Sequence, residues 1–135
     1  MTSAEGVERR AVLAGHGSFA EGMLSVVRQI IGPTGRIAVV TNTGATSDEI
    51  ERRLKAAIDD VGATVIFTDL PAGSCTMAAR RLQRTDPRLT IVMGANAAAI
   101  LEFVMATDVD DRAVAGRAAE SGRGALAVTA TPPAR

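Results

Sequence analysis

Short apolar runs alternate along the chain with stretches whose apolar residues recur every three or four positions. This is the βαβ pattern of a mostly parallel sheet. Ala11 to Ala14 predicts a first strand that runs into Gly15-His16-Gly17. Met23, Leu24, Val27, Ile30 and Ile31 then repeat at helical spacing until Gly32-Pro33 stops the helix. Ile37 to Thr41 predicts a second strand. Thr46-Ser47-Asp48-Glu49 has the form of a capping box. The helix it opens carries Ile50, Leu54, Ile58 and Val61 on one face, turns Arg52, Arg53, Lys55 and Asp59 to solvent, and closes at Gly62.

Thr64 to Thr68 predicts a third strand with Asp69 at its end, followed by a loop over Leu70 to Ser74 and a helix to Arg81 or Leu82. Leu89 to Met93 predicts a fourth strand, followed by Gly94-Ala95-Asn96 and a helix to Val104 or Met105. A short helix is expected from Asp111 to Glu120, and Gly124 to Thr129 has β character suited to closing the sheet. Met23, Met77, Met93 and Met105 fall on apolar faces and are expected in the core. The expected fold class is α/β: an open, doubly wound, mostly parallel sheet with helices on both faces. The length of 135 residues fits one domain, with 1–9 and 131–135 expected to be flexible.

Composition narrows the function. Hydrophobic residues make up 47% of the chain, yet it has three Phe and no Trp or Tyr, which argues against a base-stacking or sugar-stacking surface. Fifteen basic and fifteen acidic side chains cancel without a run of one sign. The basic stripe that a nucleic acid demands is missing. Cys75 is the only cysteine and His16 the only histidine, too few for a disulfide or a structural zinc site. Nothing calls for a metal or cofactor. The polar start of the chain and the lack of a membrane-length apolar run predict a soluble, cytoplasmic protein.

In an open parallel sheet, ligands bind beyond the carboxyl ends of the strands, where strand order reverses. That rule selects Gly15 to Gly17, Asn42 to Gly44, Asp69 to Ser74 and Gly94 to Asn96. A lone histidine is often structural, but His16 stands at a strand end between two glycines that leave its ring uncrowded. A neutral imidazole attacks electrophiles such as phosphorus and titrates close to working pH. His16 is therefore a candidate nucleophile.

Asp69 has two open readings. If strands one and three are neighbours, its carboxylate shares a crevice with His16 and orients the ring. Otherwise it makes an Asx-turn ahead of Pro71. Gly73-Ser74 at a helix start is either an anion site, with free amides and a hydroxyl, or a plain N-cap by Ser74. Cys75 is either a thiolate near that helix start or a small buried filler.

The segment Ala14-Gly15-His16-Gly17-Ser18-Phe19-Ala20-Glu21-Gly22-Met23-Leu24 resembles the opening of mannose-family IIA domains of the phosphoenolpyruvate-dependent sugar phosphotransferase system. The similarity continues through Phe67-Thr68-Asp69-Leu70, Gly73-Ser74, Met93-Gly94-Ala95-Asn96 and Glu120-Ser121-Gly122-Arg123-Gly124, so it spans nearly the whole chain. The resemblance implies that His16 accepts phosphate from the phosphocarrier HPr and passes it to a IIB component, with membrane IIC and IID components involved only indirectly. It also implies that Asp69 orients the histidine, that Gly73 and Ser74 lie near the phosphate, and that the protein is a homodimer in which the terminal strand is often exchanged. Gly15, Gly17, Ser18, Asn42, Gly44, Leu70, Pro71 and Asn96 are then expected in partner-facing loops. The expected sheet has four parallel strands in the order 2-1-3-4 plus a C-terminal edge strand.

One loop departs from the family pattern. Leu70-Pro71-Ala72-Gly73-Ser74-Cys75 stands where aromatic-Gly-Gly-Ser-Pro is common, and it looks closer to the N-acetylgalactosamine or galactosamine branch. Two alternatives stay open. A receiver-like regulatory domain would be modified on Asp69, although receivers need acidic residues after strand one, where this chain has Gly15-His16-Gly17. A related phosphotransfer module feeds a dihydroxyacetone kinase.

Overall fold

The computed structural model describes residues 8–33 and 35–134. Its strands are β1 (Arg10–Gly15), β2 (Arg36–Thr41), β3 (Val65–Thr68) and β4 (Thr90–Val92), paired in parallel in the order β2-β1-β3-β4. The helices are α1 (Phe19–Ile31), α2 (Ser47–Val61), α3 (Ser74–Thr85), α4 (Ala97–Met105) and α5 (Asp111–Ala125).

Side chains alternate across a strand, and here both faces are covered. Ala11, Leu13, Val65 and Phe67 pack with the buried faces of α1, α4 and α5. Val12, Ala14 and Ile66 point the other way, into Ile50, Leu54 and Ile58 of α2 and Ala78, Ala79 and Leu82 of α3. The central strands are therefore apolar between Arg10 and Thr68 at their ends, and each fully buried Leu, Ile or Phe contributes about 1.5–3 kcal/mol. Phe67 and Phe103 meet edge to face with centroids 5.3 Å apart.

The capping box forms as expected: Thr46 accepts from the Glu49 amide at 3.2 Å and Glu49 accepts from the Thr46 amide at 3.1 Å. Gly62 ends α2 in the left-handed region, at φ 71°.

The expected C-terminal edge strand is absent. α5 continues past Glu120 to Ala125, and residues 126–134 have no regular structure. Helical hydrogen bonding reaches Arg123 and Gly124 despite their glycine-rich surroundings. Beyond it, Leu126 and Val128 are 84% and 92% exposed. A strand needs a partner, and among the described residues this segment pairs with none.

The methionines also differ from expectation. Met77, Met93 and Met105 are exposed, because each sits on the outer side of its helix or loop, and only Met23 packs partly against the core.

The expectation of flexible ends falls mostly on residues 1–7 and 135, outside the described residues. Within the leading segment, however, Arg9 is 2% exposed. Its guanidinium donates to Asp111 at 2.5 Å and to the Ala106 carbonyl at 3.2 Å, and it lies 5.3 Å from the Phe103 centroid. Asp111 also accepts from Thr64 at 3.0 Å. This cluster closes the amino-terminal end of the sheet and leaves the carboxyl end for chemistry.

Candidate functional site

Strand register builds the site. Ala14 pairs with Thr68 and Gly15 with Thr41. Asp69 therefore emerges beside Gly15, and His16 emerges beside Asn42. The strand order reverses between β1 and β3, so these residues lie at the switch point.

Asp69 Oδ2 accepts the backbone N–H of His16 and faces His16 Nδ1, both at 2.8 Å. Burial would raise the Asp69 pKa, but hydrogen bonds from the His16 backbone and ring, with the charge of the imidazole, outweigh it and hold the carboxyl below its ordinary value. An ionised carboxylate only accepts, so Nδ1 presents its proton to Asp69, and in the neutral ring the lone pair is then on Nε2. The imidazole is 53% exposed and its carboxylate partner 11%. Of the two readings of Asp69, the carboxylate's contacts follow the first: it reaches His16 across the strands.

Gly15 is required by this contact. A Cβ there would lie 2.7 Å from the Phe19 ring and 2.8 Å from the Asp69 carboxylate. Gly17 supplies the positive φ, 52°, that turns the chain into α1.

The Asp69–Ser74 loop is clipped from beneath. The buried Thr76 hydroxyl sits 2.5 Å from both the Leu70 carbonyl and the Thr68 hydroxyl. Gly73, not Ser74, is the N-cap of α3. Ser74 is the first helical residue, and its Oγ accepts from Asn42 Nδ2 at 2.7 Å instead of capping. A Cβ on Gly73 would approach His16 Cε1 to 3.2 Å, so the imidazole stands directly over the helix start. His16, Leu70, Pro71, Ala72, Gly73 and Ser74 line one broad, open depression of about 610 Å³.

Other expected residues take different places. Gly44 turns the β2 loop with φ 69°. Ser18 and Gly17 border a neighbouring hollow with Glu21 and Thr43. Asn96 sits at the same end of the sheet, but its side chain caps α4 through the Ala99 amide and donates to the Gly122 carbonyl. Cys75 is buried, and burial, with the Asp69 charge adding to it, pushes its thiol up to about 11. It is a filler, not a thiolate.

Three contributors escaped the sequence reading. Thr41 donates to the Gly17 carbonyl at 2.9 Å, tying β2 to the histidine turn. Arg53, expected in solvent, folds back to the carbonyls of Thr41 at 2.7 Å and Thr43 at 3.3 Å. Thr76 holds the Leu70 loop. Only the strand-end position of Thr41 carried a sequence signal. Among the described residues, no three His, Cys, Asp or Glu side chains gather as a metal site would need.

The fold and site define an α/β protein with a carboxylate-held histidine over a helix start, at the carboxyl end of a parallel sheet. The chain belongs to the family of PTS system fructose IIA components, whose model matches residues 10–119. It is thus a phosphotransfer component of the sugar phosphotransferase system. No curated protein matches it significantly.

Among solved structures, it is similar to a mannose/sorbose-specific IIA subunit from Enterococcus faecalis, with TM-score 0.80, 22% identity, and coverage of 96% of this chain and 100% of that one. A IIA protein associated with the fucose utilization operon of Streptococcus pneumoniae gives TM-score 0.75 at 21% identity, covering 91% and 95%. A sigma-54 interaction domain protein from Enterococcus faecalis gives 0.65 at 15%, covering 86% and 90%. At these identities the likeness establishes the shared fold. No helix among the described residues is long and apolar enough to cross a membrane.

Proposed function

We propose that this chain carries a phosphoryl group on His16 Nε2, taken from phosphorylated HPr and delivered to a IIB component in the cytoplasm. In the first step the donor's N–P bond breaks as the Nε2–P bond forms. The second step reverses these roles with the IIB acceptor. No redox change or metal is needed for either. The observation that carries the reading is the contact of Asp69 Oδ2 with Nδ1 at 2.8 Å, which supports Nε2 as the attacking nitrogen of the neutral ring. On phosphorylation the ring becomes cationic, and the same carboxylate stabilises it. The amides at the start of α3 and the Ser74 hydroxyl border the same depression as His16, which supports a role for them in holding the phosphoryl oxygens. The open depression suits a protein donor better than a free sugar.

Incubation with labelled phosphoenolpyruvate, enzyme I and HPr tests this reading. The native chain should take up acid-labile, base-stable label and pass it to a IIB protein, and His16→Ala should take up none. Label that is lost in base would instead indicate an acyl phosphate on Asp69. Neighbouring genes for a dihydroxyacetone kinase, without IIB, IIC and IID components, would redirect the delivery step.

The homodimer is also proposed. Leu126 and Val128 are exposed on a segment without regular structure, and β4 pairs on only one side among the described residues. Pairing of that segment with a second copy answers both. Sedimentation analysis should give a dimer, and truncation after Ala125 a monomer.

A further inference from the structure

We infer that Asn42 is a positioning residue that aims the Ser74 hydroxyl at the phosphoryl group on His16. The inference rests on the proposed role of His16 and adds a residue to it.

Asn42 follows Thr41, the register partner of Gly15, so it stands beside His16 on the neighbouring strand. Its place is fixed on all sides. Its amide donates to the Gly15 carbonyl at 3.2 Å, and its carbonyl accepts from Ala45 at 3.1 Å. Arg53 grips the carbonyls on either side of it, those of Thr41 at 2.7 Å and Thr43 at 3.3 Å.

From this fixed point the Asn42 side chain crosses to α3, where Nδ2 donates to Ser74 Oγ at 2.7 Å. A serine hydroxyl has one hydrogen and two lone pairs. Asn42 occupies a lone pair, and no hydrogen bond among the described residues uses the Ser74 hydroxyl hydrogen. The hydroxyl hydrogen is therefore free to donate. Ser74 and His16 line the same depression, and Gly73 brings the imidazole close to the start of α3. The amide also polarises Oγ, which strengthens the outward O–H donor. An acceptor at position 42 would do the reverse and draw the hydrogen away from the phosphate.

The test is the rate of His16 phosphorylation by two donors: phosphorylated HPr, and the small reagent potassium phosphoramidate, which needs no docking surface. Ser74→Ala should slow both by roughly 10-fold, a discount for an open site on the usual loss of one preorganised donor. Asn42→Asp should slow them as much as Ser74→Ala does, and Asn42→Ala should do so less. In the Ser74→Ala background, neither Asn42 substitution should have a further effect. Thermal midpoints confirm that each variant is folded, and the near-isosteric Asn42→Asp serves if Asn42→Ala is not. Additive losses in the double variants would overturn the inference, as would Asn42→Asp behaving like the native chain. Phosphorylation by phosphoramidate but not by HPr would sink the partner assignment alone, leaving Asn42 to be judged on the reagent. Modification of His16 by neither donor would sink both.

Discussion

A single oxygen of Asp69, Oδ2, holds both the backbone N–H and the ring Nδ1 of His16, each at 2.8 Å. One contact fixes where the histidine turn stands, the other how its ring is oriented and protonated. The second contact favours the Nδ1–H tautomer of the neutral ring. Asp69→Asn keeps the shape but loses the charge, and its amide can present a donor to Nδ1. Phosphorylation of His16 should fall on the order of 100- to 10,000-fold, with the circular dichroism spectrum unchanged. Initial rates of label uptake check this.

The same contact couples stability to pH. Asp69 has a folded pKa below its ordinary 3.8. Its contribution is complete at neutral pH, where the group is ionised in both states, and is lost as pH falls through the lowered folded value. Urea midpoints measured from roughly pH 5 down to 2 should fall more steeply for the native chain than for Asp69→Asn. Equal slopes would show that the pair does not store this stability.

Gly15→Ala should damage both fold and function. The added methyl would sit 2.7 Å from the Phe19 ring and 2.8 Å from the Asp69 carboxylate. Overpacking of this kind costs about 1–3 kcal/mol, and moving the carboxylate frees the imidazole. Thermal denaturation should show the first effect, and slower phosphorylation of the still-folded fraction the second.

Arg9 provides the opposite case, stability without chemistry. Removing it leaves Asp111 with Thr64 but without its cation at the closed end of the sheet. Arg9→Ala should cost roughly 1.5–3 kcal/mol, through lost hydrogen bonds and packing while Asp111 keeps some access to solvent, and Arg9→Met, which refills the apolar volume beside Phe103, distinctly less. Phosphorylation by the folded protein should be unchanged in both, because the site lies at the other end of the strands.

Cys75, with its thiol pushed up to about 11, should resist alkylation at neutral pH in the native chain and react readily in urea. Rapid native labelling would show that α3 opens from the sheet.

The alternating runs determined the four strands, the five helices, the capping box of α2 and the α/β class, because these depend on local periodicity and turn chemistry. The sequence also singled out His16 and Asp69, through strand-end positions and, for the family, a motif. What they do to each other was not local. Asp69 could turn back on Pro71 or reach His16, and only the β1–β3 register, placing residues 53 apart side by side, decided between them. Ser74 reads as a cap until β2 brings Asn42 to it. Arg53 reads as a solvent cation until α2 packs and its side chain finds two loop carbonyls. The tail after Ala125 has strand-like residues but no strand, since β structure requires a paired neighbour and the tail pairs with none among the described residues.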